Sequence, residues 1–407
     1  MTDRPSLPPE GRPGRRILML VHSYYEEDPR VRREAESLVA AGESVDVLAL
    51  RQPGADLEGV VDGVRVRRLD VQRHQGAGLG TYAREYLSFI VRAGWAAVRL
   101  HRARRYHLVQ VHSLPDALVF AALPLRLAGV PILLDLHEAM PEFFRSRFPR
   151  ASNPIVHRLL LLQERLSIGA ATRVLTVNDA LRERLVALGV PSDKVAVVRN
   201  GPSLRRFDPA AHPRRAFMED GCLRLVYAGA LTPTYELDVL IDAVAGLAGA
   251  RPDLPIRLDL YGRGDSEDRL RELVAARSLD GIVEFHGRIP VEAVPAAIAA
   301  ADIGVAPTRR DRFTDISLST KIFEYAAMDK PAVCSRLPLV ESLLPEAMAT
   351  AYPAGDAVAL AGVLARLVDN PDGRRDAIRA MGAAVARVAW DAEVTRYLAI
   401  VDELIGS

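Results

Sequence analysis

Short apolar runs alternate with longer amphipathic segments along nearly the whole chain. The runs at 16–21 (RILMLV), 44–50, 107–111, 131–135, 173–177 and 195–199 read as strands. Helical periods near 30–41, 80–105, 115–128, 154–168 and 178–188 lie between them. Such alternation predicts a parallel sheet covered on both faces, with right-handed crossovers. Residues 200–221 break the pattern, being polar, without a clean period and holding three prolines, so they read as a linker. The alternation restarts with runs at 223–229, 256–262, 282–287, 302–307 and 331–335, separated by helical segments at 236–248, 265–277, 291–299 and 318–328. A last amphipathic segment covers 389–405. The expectation is an α/β protein with two Rossmann-like parallel-sheet domains, 16–205 and 206–388, facing a cleft, followed by a helix at 389–407.

Composition narrows the class. A chain of 407 residues exceeds one ordinary core, in keeping with two domains. Apolar residues at 49% and charged residues at 26% fit a globular protein. Lys plus Arg number 53 against 52 Asp plus Glu, which lacks the basic excess of a dedicated nucleic-acid binder. The two cysteines, Cys222 and Cys334, sit in apolar runs and read as buried free thiols of a cytoplasmic protein. No run of about 18 apolar residues suits a spanning helix. Residues 1–15, rich in Pro and Arg and without an apolar signal core, read as a disordered lead-in.

Open parallel sheets bind ligands beyond the carboxyl ends of their strands. No G-x-G-x-x-G follows the first strand, and the chain has no P-loop, no H-E-x-x-H, no paired-Cys motif and no G-x-S-x-G. What remains is SLSTKIFEYAAMDKPAV at 317–333. Ser317, Ser319 and Thr320 are placed to cap a helix whose first N–H groups favour phosphate. Lys321 adds a point charge there, and Glu324 lies one turn on, able to accept two vicinal hydroxyls of a ribose. The plainer alternative is a capped helix with a solvated ion pair.

The ordered set of segments resembles the family-4, retaining, GT-B glycosyltransferases over nearly the whole chain. It comprises 28–50, PILLDLHEAMPEF at 131–143, VVRNGPSLRRF at 197–207, LYGRGDSEDRLREL at 260–273, VEFHGRIP at 283–290 and STKIFEYAAMDKPAV at 319–333. The helix from Trp390 to Ile405 is similar to one that crosses back to the N-terminal domain. The resemblance implies transfer of a sugar from a nucleotide-diphosphate donor with retention, without a metal or other cofactor. It implies Lys321 at the diphosphate, Glu324 at the ribose, Ser319 and Thr320 as donors to phosphate, and His137 near the donor sugar. It also implies Arg288 and Ile289 flanking the base, and Gly229 admitting phosphate closely. His137 and Lys321 are then the expected catalytic groups. Uridine, the family's commonest base, is the expected one.

Two departures stand out. Ile316 occupies the position of the family's first glutamate, with Asp315 one residue away. The stretch GALTPTYELD at 229–238 lacks the family's usual Arg and Lys, which leaves Lys321 as the main cation, assisted by Arg263 or Arg288. The acceptor, a glycan, lipid-linked or small molecule, is expected in the N-terminal domain, where HSYYEEDPR places Tyr24, Tyr25 and Asp28 on a rim. Residues 81–105 hold six arginines and one acid among aromatics. They form either a helix able to lie on the inner face of an anionic membrane or a core helix with a basic outer face. Two other readings compete with transfer: a nucleotide-sugar epimerase on the same fold, and a non-catalytic nucleotide-sugar binder.

Overall fold

The computed structural model describes residues 14–71, 78–213 and 215–406. The expected lead-in therefore lies outside them apart from its last two residues, of which Arg15 is held by Glu43 at 2.6 Å. The chain divides into two compact units. The first runs up to Pro141, with Ala151–Val198 and Val394 onward; the second is Glu142–Arg150 with Arg199–Glu393.

The first unit is built on eight strands: β1 (Arg16–Leu20), β2 (Ser44–Leu50), β3 (Glu58–Val61), β4 (Val64–Leu69), β5 (Leu108–His112), β6 (Ile132–Leu136), β7 (Arg173–Thr176) and β8 (Val195–Val197). Their order is β3-β4-β2-β1-β5-β6-β7-β8. Every pair is parallel except β3 with β4. Ile17 to Leu20 are wholly buried, as a strand covered on both faces requires, each stabilising by roughly 1.5–3 kcal/mol. The β3–β4 hairpin was not foreseen. It closes on Asp62 and Gly63, both left-handed (φ 49° and 81°), the geometry of a two-residue hairpin turn.

Helices α1 (Pro29–Ala40), α2 (Leu79–Arg104), α3 (Leu123–Leu127), α4 (Met140–Arg147), α5 (Pro154–Ala170) and α6 (Asp179–Ala187) follow. Asp28, Asn153 and Asn178 cap α1, α5 and α6. The single helix expected at 115–128 is instead a 3-10 segment, Asp116–Ala122, running into α3, because Pro124 favours a fresh helix start. The part of α4 from Glu142 packs with the second unit, where Ser146 donates to Asp311 at 2.6 Å; the sequence had placed it with the first.

The second unit has six parallel strands in the order β11-β10-β9-β12-β13-β14. They are β9 (Leu223–Ala228), β10 (Ile256–Tyr261), β11 (Val283–Gly287), β12 (Ile303–Ala306), β13 (Ala332–Arg336) and β14 (Ala351–Pro353). Its helices are α7 (Leu237–Ala250), α8 (Glu267–Ala276), α9 (Val294–Ala299), α10 (Lys321–Ala327), α11 (Pro338–Leu343), α12 (Ala357–Asp369) and α13 (Pro371–Val388). β14, α12 and α13 were not foreseen, although Asp356 and Asn370 cap the two helices. Helix α14 (Trp390–Gly406) belongs from Val394 to the first unit, where the Tyr397 hydroxyl donates to Gln110 at 2.6 Å. Cys334 is buried as expected, whereas Cys222 is only half-buried; both are free. No described helix is long and apolar enough to cross a membrane.

Candidate functional site

In the second unit, α10 follows the loop after β12 and opens at Lys321. Tyr325, one turn on, is wholly buried, and its hydroxyl accepts from the Ala228 amide at 3.3 Å and donates to the Val305 carbonyl at 3.4 Å. This pins α10 across the carboxyl ends of β9 and β12. Lys321 is thereby turned inward and only 7% exposed. Its Nζ lies 3.9 Å from the Tyr235 ring centre and 5.3 Å from that of Tyr227. The two rings meet edge to face at 5.8 Å. Among the described residues no carboxylate pairs with Lys321. Two aromatic faces replace part of its hydration but leave its charge without a counterion. The solvated Lys321–Glu324 ion pair is therefore not what forms.

Neighbouring turns pack closely around Lys321. A Cβ on Gly229 would come within 2.7 Å of Lys321 Nζ, so the space beside this glycine is filled by the lysine itself. At Gly262, φ is +143° and a Cβ would overlap the Gly229 carbonyl. The G-x-G of this loop thus serves close backbone packing against the turn after β9, where Leu231 N–H donates to the Arg263 carbonyl at 3.1 Å.

The other expected donor residues are placed as follows. Arg263 is exposed, with its guanidinium beside Gly287. Arg288 is exposed and Ile289 half-buried, both directly after β11. Glu324 is half-buried on α10, one turn from Lys321. Thr320 is already helical and no side chain caps α10, so the expected capping by Ser317, Ser319 or Thr320 does not occur. The Ser319 hydroxyl is buried without a hydrogen-bond partner. Asp315 lies 3.4 Å from Arg310. The sequence reading missed Tyr227 and Tyr235. Their signal was an aromatic at a strand's end with another eight residues on, in the stretch noted only for lacking basic residues.

In the first unit, His137 follows β6. Its backbone N–H donates to the Ser113 hydroxyl at 3.3 Å, and its Nδ1 lies 3.6 Å from Asp135. Burial would depress the imidazole, but the Asp135 carboxylate prevails and raises its pKa above the ordinary value. Asp135 is wholly buried and accepts from Arg30 at 2.6 and 2.7 Å and from His112 at 3.0 Å. Burial works against its ionised form, yet Arg30 and the two histidines hold it well below the usual carboxylate range. Glu34, Gln110 and Tyr397 extend this network, Gln110 donating to Glu34 at 2.6 Å. Asp116, also wholly buried, has both carboxylate oxygens without hydrogen-bond partners. Burial and the nearby Glu164 push its pKa up to about 8, against His137 and Arg184.

The acceptor rim needs correction. Tyr25 is wholly buried and Asp28 is the cap of α1, accepting from the Arg30 and Val31 amides and from Ser23. Tyr24 is half-buried against the core. Two acid–histidine clusters, Glu34–His112–Asp135 and Asp259–Glu284–His286, have ligand-like spacing. Each already holds a guanidinium: Arg30 at Asp135 and Glu34, Arg257 at Asp259 and Glu284.

Comparison with known proteins agrees with the two-domain fold. Residues 28–201 match the model of a glycosyl transferase 4-like domain and residues 222–370 that of glycosyl transferases group 1. A D-inositol 3-phosphate glycosyltransferase of Pseudarthrobacter chlorophenolicus is 26% identical over 312 residues, 74% of this chain and 73% of its own. The sucrose-phosphate synthase of Thermosynechococcus elongatus superposes with a TM-score of 0.77 at 18% identity, covering 96% of this chain and 99% of its own. Anabaena HepE, solved in complex with UDP-glucose, gives a TM-score of 0.69 at 14% identity, covering 95% and 99%.

Proposed function

Because the chain belongs to the group 1, family-4 glycosyltransferases of GT-B fold, we propose that it moves a sugar from a nucleotide-diphosphate donor, a UDP-sugar, to a glycan, lipid-linked or small-molecule acceptor with retained configuration. One observation carries the donor assignment: the Lys321 ammonium is caged by Tyr227 and Tyr235 with no carboxylate to balance it. A buried cation without a counterion awaits an anion, and a diphosphate supplies one. Glu324, one turn on, takes the ribose hydroxyls, Arg288 and Ile289 flank the base, and Arg263 or Arg288 assists Lys321 at the diphosphate.

In the proposed reaction the donor C1–O bond breaks and the diphosphate keeps the electron pair. The acceptor oxygen bonds to C1 on the same face, and its proton passes to the departing phosphate oxygen. Lys321 stabilises the charge where it develops. By resemblance to the family, His137 is assigned to orient sugar or phosphate, a role its raised pKa suits. Side-chain cations neutralise the leaving group, so the reading includes no metal.

Nucleotide sugars incubated with an acceptor panel, with the product anomer read by NMR and chelator added in parallel, test this reading. Transfer with retention that persists in chelator is expected. An inverted product, or activity abolished by chelator, contradicts it. Epimerisation of donor alone, or donor binding without any transfer, would point to the competing readings.

A further inference from the structure

Helices α2 and α5 both pack on residues 116–122, so they lie on one side of the first unit. On α2, Leu87, Val91 and Trp95 are 63%, 63% and 67% exposed at i, i+4, i+8. On α5, Ile155, Leu159, Leu162 and Leu166 are 52–70% exposed at i, i+4, i+7, i+11. Both spacings draw a continuous apolar stripe down a helix, unlike the scattered exposed leucines of an ordinary surface. The charge around the stripes is one-sided. Arg84, Arg92, Arg99 and Arg102 on α2 and Arg158 and Arg165 on α5 are exposed, and none pairs with a described carboxylate. The one acid on each helix, Glu85 and Glu164, is buried, at 5% and 3% exposed.

We infer that α2 and α5 together form a docking surface for an anionic lipid bilayer. Their apolar stripes enter the headgroup boundary, with Trp95 as an interfacial anchor and the arginines on lipid phosphates. A second copy of the chain fits poorly, since pairing these faces sets arginine against arginine. The sequence placed membrane contact on residues 81–105 alone; α5 adds the longer stripe. The inference is independent of the donor site.

Vesicle flotation of the full chain tests it, using phosphatidylcholine alone and phosphatidylcholine mixed with phosphatidylglycerol. Wild type should float with the mixed vesicles only, and salt should weaken binding. The R158E/R165E variant should lose roughly fivefold or more in partitioning per arginine, and L159Q/L166Q should also release the protein. Both variants should keep the wild-type melting temperature and far-UV circular dichroism, which separates lost docking from misfolding. Equal flotation of the variants, no flotation of wild type, or a wild-type dimer that these substitutions dissociate would overturn the inference.

Discussion

A Cβ on Gly229 would overlap Cε of Lys321 and stand 2.7 Å from its Nζ. The glycine after β9 is thus the space in which the lysine of α10 lies. Gly229→Ala should push the flexible lysine out of its Tyr227–Tyr235 cage while leaving both strands intact. UDP affinity should fall roughly tenfold, with unfolding free energy changed by about 1 kcal/mol or less. Calorimetric titration and urea unfolding measure the two; unchanged UDP affinity would show that the cage does not serve the donor.

Asp116 makes stability depend on pH. Its folded pKa of about 8 exceeds the usual carboxylate value, so the native state binds this proton more tightly than the unfolded chain. Its contribution is fully present below about pH 4 and is lost as pH rises towards 8. Asp116→Asn should match wild type in acid and become progressively more stable than it up to pH 8, with no further gain beyond. Urea midpoints of both proteins at stepped pH values decide this, and a constant difference would refute it.

Asp135→Asn should cost about 3–5 kcal/mol, because it leaves the Arg30 guanidinium buried without its bidentate partner. It should also take the His137 pKa below its ordinary value, because burial and the Arg30 charge then act without the Asp135 carboxylate to oppose them. A single variant within 1 kcal/mol of wild type would mean the pair is solvated.

The central parallel strands were legible because strands buried on both faces are continuous apolar runs bounded by turns. The β3–β4 hairpin was harder, since its short, half-exposed strand Glu58–Val61 offers little apolar contrast beside the Asp62–Gly63 turn. Lys321 and Glu324 were legible as charges inside an apolar helix. The tyrosine cage was not, because Tyr227 reads as core and Tyr235 as loop until β9 and α10 are brought side by side. Tyr25 and Asp28 show the converse: a position after a strand does not say whether a side chain faces ligand, core or its own helix.

Lys321 is the central group of the proposed donor site, and the most direct measurement is the affinity of Lys321→Met for UDP and for uridine, by calorimetric titration. The variant should bind UDP roughly tenfold to a hundredfold more weakly than wild type and bind uridine equally well, since only the diphosphate meets the ammonium. UDP affinity that matches wild type, or an equal loss for uridine, would contradict the assignment of Lys321 to the donor diphosphate.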